Sequence, residues 1–127
     1  VELVREMGKM PVLATNPLFP HTATENRMRW AGLEPEMFAA YTTYEDCHYC
    51  KPNQKYYEEL LQKLGLKPEE CIMVGNDVEE DMIAETLGMK VFLITDCMIN
   101  KYNKDISVYP HGGFPELAQF LDSLLTE

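Results

Sequence analysis

Apolar positions recur along the chain with two different spacings. Leu3, Val4 and Met7 share one face of a helix predicted over residues 1–7, which Gly8 ends. Short continuous apolar runs, typical of strands buried on both faces, predict strands over residues 11–16, 38–43, 71–74 and 91–95. The helical spacing predicts helices over residues 22–31, 52–65 and 79–87, a polar linker over residues 100–113, and a last helix beginning near Pro115.

The alternation of strands and helices predicts the fold class. Parallel strands joined by right-handed helical crossovers give an α/β protein with a doubly wound parallel sheet, here in a single domain over residues 1–127. Ligands of such folds collect beyond the carboxyl ends of the strands. We therefore expect three loops, over residues 15–16, 43–51 and 75–81, to converge.

Charge and composition narrow the possible partners. Eleven Lys and Arg against 21 Asp and Glu give the 127-residue chain a net charge of −10, which opposes binding to nucleic acid or to acidic membranes. No apolar run reaches the length of a membrane span, and the sequence shows no signal-peptide pattern. We therefore expect a cytoplasmic protein. We also expect reduced thiols, because the four cysteines are irregularly spaced.

One pair of cysteines has a spacing that also occurs in zinc and redox sites. Cys47 and Cys50 enclose His48 in a predicted loop. A structural zinc site needs four ligands, and the sequence has no second pair at such a spacing. An incidental loop pair is the favoured interpretation, and a small zinc or thiol module is the alternative.

The three loops carry complementary chemistry. Thr15 offers a hydroxyl, Lys51 offers a positive charge, and Asp77 with Asp81 offers hard oxygen ligands. Together they suit a phosphorylated small molecule accompanied by Mg²⁺.

Three stretches resemble motifs of the haloacid dehalogenase-like (HAD) hydrolases, a family consisting mostly of Mg²⁺-dependent phosphatases. Residues 12–16 are similar to the second motif, which implies that the Thr15 hydroxyl and the Asn16 backbone N–H bind the phosphoryl group. Lys51 with Pro52 resembles the third motif, whose lysine steadies the charge of the nucleophile and the phosphoryl group. Residues 72–81 resemble the fourth motif, whose acidic residues position Mg²⁺.

The chain departs from the family pattern where the first motif belongs. That motif, an apolar strand ending Asp-x-Asp, supplies the nucleophile and the general acid, and no such pair precedes Thr15. We therefore expect a fragment, namely the carboxyl-terminal part of the core without a cap domain, that is inactive alone because the aspartyl-phosphate route lacks its acceptor. A non-catalytic domain that binds a phosphorylated ligand or has a regulatory role is the alternative.

The missing motif also implies a missing central strand. A preceding segment of the polypeptide, another chain, or direct pairing of the strands at Val12 and Ile72 would fill the gap.

A second departure lies in residues 75–81, which we call the acidic loop. Many relatives have Gly-Asp where this chain has Gly75 and Asn76, so either Asn76 or Asp77 holds the metal position. Charge favours Asp77 as the Mg²⁺ ligand, with Asp81 behind it.

Overall fold

The computed structural model describes residues 1–125, and the chain divides into two compact units, Val1–Cys50 and Lys51–Glu127. The first unit contains helix α1 (Glu2–Glu6), strand β1 (Val12–Leu13), helix α2 (His21–Trp30), a 3-10 turn (Pro35–Met37) and strand β2 (Ala40–Tyr41). The second contains α3 (Gln54–Leu64), β3 (Ile72–Gly75), β4 (Lys90–Ile94), β5 (His111–Gly112) and α4 (Phe114–Leu125), with 3-10 segments at Pro68–Glu70, Met82–Leu87 and Ile106–Val108. That the whole of residues 1–127 forms one domain stays a prediction.

The first unit is built on a short parallel ladder. Val12 pairs with Ala40 and Leu13 pairs with Tyr41, and α2 lies between the two strands in sequence. Two flanking hydrogen bonds extend the ladder, from Ala39 N to Pro11 O at 2.8 Å and from Thr42 N to Leu13 O at 3.0 Å. The strands are therefore shorter than the apolar runs predict, but they run in the predicted parallel direction.

The second unit contains a three-stranded parallel sheet in the order β3-β4-β5. Its middle strand, β4, is buried from Val91 to Ile94, and Leu93 is 0% exposed. A strand covered on both faces needs no polar alternation, which explains why its sequence is a continuous apolar run. The α/β class with parallel sheets is confirmed.

Helix α3 follows its sequence signals closely. The Asn53 side chain accepts a hydrogen bond from Lys55 N at 2.9 Å, and Gly65 ends the helix in the left-handed conformation with φ of 68°. The helix begins at Gln54 instead of the predicted Pro52, because Asn53 is its N-cap. Tyr56, Tyr57 and Leu61 form its buried face.

The α-helix predicted over residues 79–87 is wrong in type and start, since the structure has a 3-10 helix over Met82–Leu87. In an α-helix the Glu80 carbonyl would accept from Ala84 N. Here that carbonyl accepts from the Tyr57 hydroxyl at 2.6 Å, and Ala84 N donates to Asp81 O at 3.3 Å. A side chain from α3 thus replaces a helical hydrogen bond and favours the tighter turn.

The predicted linker over residues 100–113 is also partly wrong, because it contains β5. This strand is two residues long and includes Gly112, so it presents no apolar run to recognise. None of the helices in the described part of the chain has the length and hydropathy of a membrane span.

Candidate functional site

A buried ion pair lies at the centre of the candidate site in the second unit. Lys51 Nζ lies 2.6 Å from Asp81 Oδ1, and the two side chains are only 8% and 5% exposed. Removing two charges from water is costly, so such a pair persists only when the remaining polar atoms are also bonded. Asp81 meets this condition, since its Oδ2 accepts from Asp77 N at 3.1 Å.

Gly75 makes room for the Asp81 carboxylate at the end of β3. A Cβ at position 75 would lie 2.1 Å from Asp81 Oδ2 and 2.4 Å from Asp81 Cγ, far inside van der Waals contact. The glycine is therefore required for space. The sequence pattern Gly75 to Asp81 lets a side chain fold back against the strand that precedes it.

Asp77 caps the turn that follows β3. Its Oδ1 accepts from the backbone N–H groups of Glu79 and Glu80, both at 2.9 Å. These bonds fix the carboxylate and leave Oδ2 without a hydrogen bond from any described residue. Because Mg²⁺ binds proteins through one or two carboxylates and keeps several waters, this oxygen fits a magnesium ligand.

The other described carboxylates do not enlarge this donor set. Within residues 1–125 no group of three or more His, Cys, Asp or Glu side chains could hold a metal ion together. Asp77 therefore fits Mg²⁺ as one ligand of an open, water-rich site, with the remaining positions left to water and to ligand oxygens.

Tyr57, on helix α3, is hydrogen-bonded to the acidic loop. Its side chain is 1% exposed, and its hydroxyl donates to Glu80 O at 2.6 Å. Burial, reinforced by the negative charge of Asp81, raises the pKa of the Tyr57 phenol far above its ordinary value. The sequence pattern assigned this residue only to an apolar face, although a buried tyrosine hydroxyl needs a partner.

Asn76 points toward the segment that follows β4. Its side-chain Nδ2 donates to the Cys97 carbonyl at 2.9 Å. The residue is thus next to Asp77, as predicted, and its amide nitrogen is engaged with the backbone.

The hydroxyl site of the first unit lies at the carboxyl ends of β1 and β2. The Thr42 hydroxyl donates to Thr15 O at 2.7 Å and lies 3.3 Å from the Thr15 hydroxyl. Thr43 is 0% exposed, and its hydroxyl donates to Asp46 at 2.8 Å. Sequence analysis identified Thr15 but missed Thr42 and Thr43, whose position at the end of a predicted strand was the available signal.

A second polar network in the first unit surrounds His21, which begins α2. The Tyr41 hydroxyl lies 2.7 Å from His21 Nε2 and donates to Glu25 at 2.9 Å. Burial and the hydrogen bond to Glu25 raise the Tyr41 pKa to about 12. Each unit thus contains a tyrosine whose pKa is raised, Tyr41 in the first and Tyr57 in the second.

The structure brings together Lys51, Asp77, Asp81 and Asn76 within the second unit. Thr15 and Asn16 belong to the first unit. Convergence of the Thr15 loop on the Lys51 cluster stays a prediction. Cys47, Cys50, Cys71 and Cys97 form no disulfide bond.

A family model for the haloacid dehalogenase-like hydrolases matches residues 1–84. The chain belongs to this family. The predicted family membership is thereby confirmed. The matched region includes β1, the Lys51 position and the acidic loop, which are the segments that carry those motifs.

Among curated relatives, a glyceraldehyde 3-phosphate phosphatase from Methanothermobacter thermautotrophicus is 38% identical over 58 residues. That match covers 45% of this HAD-family chain and 26% of the relative, so it spans about a quarter of the relative's length.

Solved structures show the same fold. A HAD phosphatase from Thermococcus onnurineus matches with a TM-score of 0.73 at 24% identity, covering 94% of this chain and 54% of that one. The HAD-hydrolase YfnB from Bacillus subtilis, described as bound to magnesium, matches with a TM-score of 0.73 at 17% identity, covering 95% and 54%. The chain therefore corresponds to about half of each of these structures.

Proposed function

We propose that this chain is the carboxyl-terminal part of the core of a Mg²⁺-dependent HAD phosphohydrolase, whose substrate is a small phosphorylated molecule. The observation that carries the proposal is the buried Lys51–Asp81 pair, which is joined through Asp77 N to the capped Asp77 carboxylate. A lysine held beside the carboxylates of the acidic loop suits the binding of a phosphoryl group and its cation.

Each residue has a distinct part in the proposed site. Lys51 neutralises phosphoryl charge, and Asp81 holds its ammonium group in place. Thr15 donates its hydroxyl and Asn16 its backbone N–H to phosphoryl oxygens, as the resemblance to the second motif implies. Asp77 Oδ2 would hold Mg²⁺, which when bound supplies positive charge against the phosphoryl oxygens.

The nucleophile is proposed to come from polypeptide outside these 127 residues. The first aspartate in the sequence is Asp46, so no Asp-x-Asp pair precedes Thr15. Turnover through an aspartyl-phosphate requires a carboxylate acceptor, and we therefore propose that the chain alone is inactive.

The edge of the second unit's sheet supports this proposal. Strand β3 pairs only with β4 within that sheet, and its Val74 is 37% exposed. An apolar parallel edge of this kind is normally covered by another strand. We propose that a preceding segment of the polypeptide, or a second chain, supplies a strand that completes the core.

The net charge of −10 supports a small phosphorylated substrate over nucleic acid or an acidic membrane. We also propose a cytoplasmic location, because the irregular spacing of the four cysteines does not suit a secreted disulfide framework.

Turnover of p-nitrophenyl phosphate with Mg²⁺ tests the proposal. The chain alone should be inactive, whereas a protein extended through the upstream reading frame should turn over substrate, and Asp→Asn at the upstream nucleophile should abolish it. Activity in the chain alone would overturn the proposal that the nucleophile lies outside these 127 residues.

A non-catalytic domain that binds a phosphorylated ligand is the second candidate, favoured by the absence of any aspartate before Asp46. An upstream reading frame without Asp-x-Asp, or an inactive extended protein that still binds orthophosphate, would establish it in place of the enzyme.

A further inference from the structure

The acidic loop is paired with the segment that follows β4. We call residues 96–104 the strap. Ile99 N donates to Asn76 O at 2.8 Å, and Val78 N donates to Ile99 O at 3.0 Å. These two bonds form a parallel bridge between Asp77 and Ile99, so the backbone on both sides of Asp77 is bonded to the strap.

A third bond to the strap comes from the Asn76 side chain. Its Nδ2 donates to Cys97 O at 2.9 Å, and the direction is fixed because a carbonyl only accepts. Cys97 has a φ of 52°, in the left-handed region that non-glycine residues seldom adopt. The strap thus holds an uncommon backbone conformation at the residue whose carbonyl Asn76 binds.

The strap is also bonded internally. Asn100 Nδ2 donates to Lys104 O at 2.8 Å, while Lys104 N donates to Asn100 Oδ1 at 2.9 Å. Lys104 Nζ pairs with Glu79 Oε2 at 2.5 Å on the exposed side of the acidic loop. The acidic loop, which carries Asp77, is therefore hydrogen-bonded to a strap that has its own internal hydrogen bonds.

We infer that Asn76 is a positioning residue that orients Asp77 for the cation, and that it is not itself a metal ligand. The inference rests on the proposed function and deepens it. The Asn76 side chain fixes the peptide just before Asp77, and the Ile99 bonds fix the peptides around it. An aspartate at position 76 would lack the N–H that the Cys97 carbonyl requires.

The two roles for Asn76 predict opposite results for one substitution. If Asn76 were a ligand, Asn76→Asp would add a charged oxygen ligand and tighten cation binding. If it is a positioning residue, Asn76→Asp sets a carboxylate against a carbonyl and weakens binding. We expect a loss of about tenfold, as for one hydrogen bond that orients the site.

Mn²⁺ titration of the 127-residue chain, followed by electron paramagnetic resonance up to the millimolar range, measures the difference. Asn76→Asp and Asn76→Ala should both bind more weakly than wild type. Lys104→Ala is the matched control, because it removes an exposed ion pair of the same strap, and it should change the affinity less than twofold. Amide hydrogen exchange at Val78 and Ile99 should accelerate in the two Asn76 variants and not in the control.

The outcomes distinguish the inference about Asn76 from the proposed function on which it rests. Tighter Mn²⁺ binding by Asn76→Asp, or unchanged binding by both Asn76 variants, would overturn the inference and leave the proposed function standing. A wild-type chain that binds no Mn²⁺ would overturn the cation assignment to Asp77 and the inference with it.

Discussion

The two units hold their functional groups by different physical means. In the second unit, Lys51 and Asp81 are buried charges that pair with each other, and Asp81 also accepts a hydrogen bond from the backbone. In the first unit, Thr15 and Thr42 are neutral hydroxyls at the ends of two-residue strands. Breaking a buried charge pair leaves an uncompensated ion, whereas removing a hydroxyl loses one modest hydrogen bond. The charged cluster should therefore be the more sensitive to substitution.

The largest effect is expected from Asp81→Ala, which removes the carboxylate that pairs with the buried Lys51 ammonium. We expect the free energy of unfolding to fall by about 3–5 kcal/mol, measured by urea denaturation followed by circular dichroism. The double variant Lys51→Met/Asp81→Leu is the control and should recover much of the loss. A loss below about 1 kcal/mol in the single variant would contradict the pairing.

Gly75→Ala should have the next largest effect, because the added Cβ meets the Asp81 carboxylate at 2.1 Å. We expect a loss of about 1–3 kcal/mol in the same denaturation experiment. The effect should shrink in an Asp81→Ala background, where the clashing atoms are gone. Equal losses in both backgrounds would show that the glycine acts through something other than Asp81.

Tyr57 and Tyr41, whose pKa values are both raised, offer a direct comparison of the units. Tyr41 should ionise near pH 12, and Tyr57 should ionise far above the ordinary tyrosine value. Above the ordinary tyrosine pKa of 10.0 the folded state retains protons that the unfolded state loses, so stability should fall as pH rises.

Tyr57→Phe and Tyr41→Phe should each remove one group that ionises at high pH, which spectrophotometric titration would detect. Tyr57→Phe should also lower the free energy of unfolding by about 1.5 kcal/mol, because the hydrogen bond from the Tyr57 hydroxyl to Glu80 O is lost. An unchanged titration curve in Tyr57→Phe would contradict its buried, bonded position.

The smallest effect is expected from Thr42→Val, which removes the hydroxyl that donates to Thr15 O. Valine keeps the shape and the strand preference, so we expect a loss of about 1 kcal/mol or less. Thr42→Ser, which keeps the hydroxyl, is the control for the hydrogen bond. A loss as large as that of Asp81→Ala would reverse the comparison between the units.

Sequence reasoning recovered the fold class, but not how the polar residues of the candidate site pair. The apolar runs predicted β1 to β4, since a buried strand must be apolar, whereas β5 was too short to leave a signal. Asp81 was expected behind Asp77 beside the cation, yet its carboxylate pairs with Lys51, thirty residues away in sequence. Periodicity cannot reveal a long-range pair of this kind, which depends on the space that Gly75 leaves.

Hydroxyl groups were hidden by the same patterns that revealed the fold. Tyr57 was assigned to the apolar face of α3, which is correct, and Thr42 and Thr43 to the end of a strand, which the structure ends at Tyr41. Neither assignment indicates the partner of the hydroxyl, which is set by tertiary structure.

We propose that Thr15, Lys51 and Asp77 serve one phosphoryl group and its cation, as the resemblance to the family motifs implies. Titration of the isotope-labelled chain with orthophosphate in the presence of Mg²⁺, followed by NMR, tests it most directly. We predict that the amide signals of Thr15 and Asn16 shift together with those of Lys51 and Asp77, along a single binding curve. Shifts confined to one unit, or two curves with different affinities, would contradict the claim.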